Sequence, residues 1–237
     1  MKYIHYLFLV VLSVCLVNCQ DQPKELQKSD LKTQKEKASY SIGLNMGKNL
    51  AKKSIDIEPR LLAEGIRDGM TKSESDFLLT KDEIRDAMLA FQKEMIQKQQ
   101  AEQKALAEKN MAEGEKFLAE NKGKPGVETL PSGLQYKVIK EGSGEKPLAT
   151  STVTTHYTGR LIDGTVFDSS VKRGTPATFE LSQVIKGWAE GLQLMKEGSK
   201  CEFYIPPELA YGENGVGDVI GPNATLIFEV ELLSIDN

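Results

Sequence analysis

The chain changes its hydrophobic period from a helical spacing to alternation at Leu134, and so divides into a helical part and a strand-rich part. Ala38, Ile42, Met46 and Leu50 recur four apart, which places them on one stripe and predicts a first helix over roughly Leu31 to Lys53. Gly43 and Gly47 lie beside that stripe. Each weakens an isolated helix by about 1 kcal/mol, so their presence predicts that another helix packs closely there. Pro59 suits the first turn of a second helix, Leu61 to Met70. Thr80 and Glu83 carry the spacing of a capping box for a third. That third helix runs from Lys81 to Asn121 with no proline and only Gly114 inside, about 60 Å at about 1.5 Å per residue. Ile84, Met88, Phe91 and Met95 form an apolar seam on its first part, whereas Gln97 to Lys104 is polar on nearly every face, the pattern of a solvent-bridging stalk.

Gly123, Pro125 and Gly126 end the stalk, and from Leu134 the apolar positions alternate. Leu134, Tyr136 and Val138, then Val153, Thr155 and Tyr157, and finally Thr225 to Leu233 read as strands, with one helical patch at Gly187 to Met195. The expected fold class is therefore α+β: a helical module with a long stalk helix, then an antiparallel β-sheet wrapped on a short helix. The expected divisions are 1–19, 20–124 and 125–237. The two apolar seams together exceed what one small helical module buries alone, which predicts a homodimer.

Lys2 precedes an apolar run from Leu7 to Val17, too short for the ~20 residues of a spanning helix and of the right length for a signal peptide, so the chain is expected to be exported. Leu16-Val17-Asn18-Cys19 resembles a bacterial lipoprotein cleavage box, with Cys19 as the lipidation site and a membrane attachment through that lipid. Asn18 departs from the small residue usual at its position, which keeps plain secretion open. Residues 20–37 read as a polar tether.

Charge removes one class of function. Residues 125–237 hold 9 basic and 15 acidic groups, a net of −6, without the basic footprint that phosphate neutralisation needs, so nucleic acid is not an expected partner. Cys201 is the single thiol beyond the leader and His156 the single histidine, so neither a disulfide framework nor a metal site is expected. The stretch EGSGEK (141–146) is followed by Pro147 with no Gly-Lys-Ser/Thr, and reads as a hairpin turn instead of a phosphate loop. No Gly-x-Ser-x-Gly elbow occurs.

What the second part does carry is a set of aromatic and apolar residues beside turns. HYTGRLIDGTVFDSS (156–170), VIKGWAEGLQLM (184–195) and PPELAYG (206–212) strongly resemble, in order, the blocks of the FKBP-type peptidyl-prolyl isomerases. KASYSIGLNMGKNL (37–50), the long third helix and KPGVETLPSGLQYKVI (124–139) are similar to the dimerisation region of the macrophage infectivity potentiator group. The resemblance implies a prolyl pocket with Trp188 as floor and Tyr157, Phe167, Val184, Ile185, Tyr211, Ile220 and Phe228 around it. It implies that the Ile185 amide and the Tyr211 hydroxyl hydrogen-bond substrate carbonyls, and that Asp168 sits at the rim beside Tyr157. Ala177 stands where single-domain relatives have Phe, and Phe179 is expected to supply that wall. Proline-containing polypeptides and macrolide inhibitors are the implied ligands, with no cofactor, and an outer-membrane, periplasmic or surface location. Two other readings stay open: a dimeric holdase with isomerisation secondary, and a tethered spacer displaying an inert domain.

Overall fold

The computed structural model of the chain describes residues 26–236. The leader and Cys19 therefore lie outside the described residues. The chain divides into two compact units between Leu78 and Leu79.

The first unit holds α1 (Gln34–Lys52) and α2 (Pro59–Thr71). The Thr33 hydroxyl accepts the Glu36 amide while the Glu36 carboxylate accepts the amides of Lys32 and Thr33, so α1 starts on a complete capping box. Pro59 stands at the first position of α2, where its missing N–H costs nothing. The apolar stripe read from the sequence is present, yet no residue of α1 is buried. Ile42, Met46 and Leu50 face Leu62, Ile66 and Met70 across an open apolar groove of about 620 Å³. A Cβ placed on Gly43 or Gly47 would meet nothing within 4 Å. The close helix that these glycines predicted is thus not supplied by the described residues of this chain.

The second unit begins with α3 (Lys81–Asn121), the span expected from its capping box and breakers. The strands are β1 (Val127–Thr129), β2 (Gln135–Lys140), β3 (Thr152–Leu161), β4 (Val166–Ser169), β5 (Ala177–Glu180), β6 (Lys200–Ile205) and β7 (Leu226–Asp236). Between them lie α4 (Ser170–Arg173) and α5 (Lys186–Leu192). The strands form one sheet in the order β1-β2-β6-β7-β3-β4, with β5 also on β3 and every pairing antiparallel. Along β3, Val153, Thr155, Tyr157 and Gly159 are buried in alternation, which is the period that marked it in the sequence.

α5 settles onto β6 because two of its residues have no side chain. A Cβ on Gly187 would stand 2.4 Å from Ile205 Cγ2, and one on Gly191 would stand 2.7 Å from Phe203 Cε1. This close seating brings Trp188 and Leu192 into the core with Phe203, Ile205 and Leu226. The last turns of α3 are joined to the sheet by amides. Asn121, with no exposed surface, donates to Gln135 Oε1 at 2.9 Å, and Gln135 Nε2 donates to the Leu118 carbonyl at 2.8 Å. Phe117 packs on Tyr204 with ring centres 6.0 Å apart. Buried amides are costly unless paired, so this junction orients the helix end as well as attaching it.

Candidate functional site

Four strands, the helix α5 and two connecting segments converge on a cavity of about 330 Å³. Tyr157 comes from β3, Phe167 and Asp168 from β4, Phe179 from β5, and Phe228 from β7. Gln183, Val184 and Ile185 line it on the way into α5, Trp188 from the first turn of α5, and Tyr211 and Ile220 from the segment between β6 and β7. Each of the ten pocket residues named from the sequence lies on this cavity. The larger groove of the first unit offers no ionisable side chain among its lining residues.

Trp188, 4% exposed, is the floor on which three rings stand edge-on. Its ring centre is 5.2 Å from those of Tyr157, Phe179 and Phe228, with interplanar angles of 89°, 81° and 78°. Edge-to-face contact is a favourable geometry for aromatic pairs, and all four rings line the cavity. Phe167 meets Phe228 in the same way at 5.4 Å. Those two rings approach over Gly159, where a Cβ would be 2.5 Å from Phe167 and 2.7 Å from Phe228, so only glycine admits both.

One carboxylate stands at the lip. The Tyr157 hydroxyl donates to Asp168 Oδ2, and the Arg173 guanidinium donates to Asp168 Oδ1 and, at 3.1 Å, to the Tyr157 oxygen. Burial opposes ionisation of Asp168, but the hydrogen bonds from Tyr157 and Arg173 outweigh it and hold its carboxyl below the ordinary range. Burial, then the bond to Asp168, pushes the Tyr157 hydroxyl up against the opposing influence of Arg173. Tyr211 is pushed up by burial and then by the charge of Asp168, so it stays a hydrogen-bond donor at neutral pH.

Sequence reasoning missed Arg173 and Gln183. Arg173 is half exposed and five residues past Asp168, in a run that reads as solvated. The four-residue α4 turns it back: Ser169 Oγ accepts the Lys172 amide, and Gly174 closes the turn at φ 75°. The available signal was the Ser169 cap with Gly174 five residues on, a one-turn helix that returns its last residue toward Asp168. Cys201 is buried, and burial pushes its thiol up to about 11, which leaves it protonated and unreactive at neutral pH.

The cavity therefore holds aromatic faces, an already paired carboxylate and hydroxyl donors, an arrangement suited to holding and reshaping a ligand without a covalent bond to it. An antiparallel sheet with one short helix beneath such a cavity is the architecture of a peptidyl-prolyl isomerase. Residues 143–233 match the family described as FKBP-type peptidyl-prolyl cis-trans isomerase, and residues 35–138 match the domain amino terminal to it. The chain is 53% identical to the outer membrane protein MIP of Legionella longbeachae over 87% of this chain and 88% of that one. It is 49% identical to the peptidyl-prolyl cis-trans isomerase Mip of Coxiella burnetii, over 86% of this chain and 88% of that one. The crystal structure of FkpA from Escherichia coli superposes with a TM-score of 0.71 at 38% identity, covering 87% of this chain and 98% of that one. The chain belongs to the FKBP-type peptidyl-prolyl cis/trans isomerases, and its activity is isomerisation of prolyl peptide bonds.

The direction of these shifts sets a pH expectation. A depressed carboxyl keeps its stabilising contacts above its unfolded value of about 3.9 and loses them as pH falls through its lower folded value, while a raised phenol keeps its proton beyond about 10. The Tyr157–Asp168–Arg173 network thus holds one protonation state from about pH 5 to 9, and kcat/KM on a chromogenic prolyl peptide should be flat there. A bell-shaped profile inside that window would show that a titrating group takes part.

Proposed function

We propose that the cavity floored by Trp188 is the catalytic prolyl pocket. The observation that carries this is the convergence of Tyr157, Phe179 and Phe228 edge-on at Trp188, with Asp168 and Tyr211 at the mouth. A substrate prolyl ring lies on the indole, against Val184, Ile185, Ile220 and Phe167. Ile185 is the N-cap of α5, and its carbonyl accepts from Trp188 and Ala189, which leaves its own amide outside the helical ladder and able to donate to a substrate carbonyl. Tyr211, 37% exposed at the lip, donates a second hydrogen bond.

Rotation about an X-Pro bond is opposed by amide resonance, a barrier of about 18 to 20 kcal/mol. The twisted amide is less polar at its carbonyl than the planar one, so a dry aromatic site favours it relative to the ground state. An acceleration of order 10⁴ requires about 5.5 kcal/mol of differential stabilisation, within reach of two donors and desolvation. Asp168 stays paired with Arg173 and Tyr157 throughout and acts as a fixed dipole at the rim. Macrolides of the class that inhibits this family occupy the same pocket. A holdase without isomerisation is not favoured, because the isomerase family match spans the whole pocket.

Replacement of Tyr211 by Phe removes one hydrogen bond, about 0.5 to 1.5 kcal/mol, and should lower kcat/KM about two- to twelvefold with the circular dichroism spectrum unchanged. Asp168→Leu should cost more, since it leaves Arg173 without its carboxylate. Because Trp188 is the sole indole of the chain, a macrolide should change its emission saturably and a prolyl peptide should compete. Inhibition without any change in emission would place the ligand elsewhere.

The first unit is proposed to pair with a second copy. Its open apolar groove, the bare faces at Gly43 and Gly47, and Ile84 and Met88 of α3, 41% and 59% exposed, support that reading. Light scattering on the mature chain should return twice the chain mass at micromolar concentration, and a monomer would refute pairing.

Export with a lipid on Cys19 is proposed from the leader pattern alone. The clients are then exported polypeptides. Cys19→Ser should move the protein from the membrane fraction to the soluble one, and an unmodified mature N-terminus by mass spectrometry would instead indicate plain secretion.

A further inference from the structure

The stalk helix touches the segment that brings Tyr211 and Ile220 to the pocket. Within residues 212–223 of that segment, between β6 and β7, two main-chain bonds close the loop: the Val216 amide donates to the Ile220 carbonyl at 2.8 Å, and the Asn223 amide donates to the Gly212 carbonyl at 2.8 Å. Neither bond fixes the segment to the sheet. From outside, Asn110 of α3 donates through Nδ2 to the Pro222 carbonyl at 2.7 Å, two residues from Ile220. A Cβ on Gly221 would stand 3.1 Å from both Asn110 Nδ2 and Leu106 Cδ2, so the helix and the loop are already in contact at this point. One turn further along, a Cβ on Gly114 would stand 2.4 Å from Thr225 Oγ1, at the root of the same segment.

The helix is a fixed support for this contact. Its end is held by the buried Asn121–Gln135–Leu118 amide network, eleven residues or about 16 Å beyond Asn110. A rigid element anchored at one end and bonded to a loop at another point restricts that loop, and loops are the segments that open at least cost. We infer that Asn110 is a positioning residue of the isomerase: through Pro222 it holds the Tyr211–Gly221 loop over the pocket, so that the stalk sets how tightly a prolyl ligand is bound. The inference rests on the reading of the Trp188 cavity as the prolyl pocket. It gives the stalk helix a role in the isomerase site, beyond the spacing of two domains.

The test uses the full mature chain. Asn110→Asp keeps the shape, removes the donor and sets a negative charge against the Pro222 carbonyl. Asn110 lines an open groove of about 390 Å³, so Asn110→Leu and Asn110→Gln have room as well. For Asp and Leu, KM for a prolyl peptide and the macrolide dissociation constant read from Trp188 emission should rise about two- to twelvefold, the range expected for one lost hydrogen bond, with kcat within about twofold. The Gln variant, whose amide still reaches the carbonyl, should lie near the unmodified protein. Gly221→Ala wedges the same contact from the loop side and should reproduce the rise. Hydrogen exchange at the Val216 and Asn223 amides should quicken in the Asp variant while the β3–β7 ladder stays protected. KM and dissociation constants unchanged in all of these variants, or a fall in kcat at constant KM, would overturn the proposal. Were the unmodified chain inactive on every prolyl peptide, the pocket reading would fall, and unchanged loop exchange would then separately remove the role of Asn110.

Discussion

The site depends on a packing constraint at Trp188. Three rings contact the indole at 5.2 Å and near right angles, so none of them stacks flat upon it. A core of aliphatic side chains would close such a space, since interiors pack to crystal density and cavities are destabilising. Rings fixed edge-on by the strands and helix that carry them leave a hollow of about 330 Å³ instead. The glycines follow from the same requirement. Gly187 and Gly191 let α5 lie close enough to β6 for Trp188 to form a floor, and Gly159 lets Phe167 and Phe228 close one wall.

A dry hollow of this kind is a poor environment for charge, yet Asp168 lines it. The arrangement resolves that conflict by pairing the carboxylate on both oxygens, with Tyr157 on one and Arg173 on the other, at a place where the Asp168 side chain is still 41% exposed. Tyr157 therefore serves two ends: its ring packs on the indole and its hydroxyl holds the rim carboxylate. The half-exposed position keeps the desolvation cost of the ion pair modest, and the two partners fix the orientation of the carboxylate at the mouth.

Much of this was legible because the local signals agree with the fold. The limits of α3 follow from Thr80, Glu83 and the glycine and proline residues after Asn121, and β3 from a clean alternation that the sheet buries on one side. The pocket set was legible through family blocks and not through spacing, since any one of its aromatics reads equally well as core. Phe179 takes the wall that Ala177 cannot, because the two residues are adjacent to β3 partners Val153 and Thr155 and both side chains turn to the same face of β5. Arg173 and Asn110 were hidden for a different reason. Both are polar residues on helices whose partners lie across a turn or 112 positions away, and neither distance leaves a trace in periodicity. The close helix expected beside Gly43 and Gly47 is not found among the described residues, because a sequence pattern states which face is apolar without naming what covers it.

The contacts at the end of α3 bear on why a long helix precedes a small isomerase domain. A polar helix of 41 residues would serve as a spacer with any joint at its end, including a flexible one. A flexible joint would need no buried amides, no glycine opposite Thr225 and no bond to the Pro222 carbonyl. Each of these contacts orders side chains or backbone, and ordering costs conformational entropy that a mere tether would not incur. Their presence along the last third of α3 places the helix and the sheet in one mechanical unit, as the division of the chain after Leu78 also does. Within the second unit the stalk and the loop that carries Tyr211 and Ile220 are therefore in direct contact.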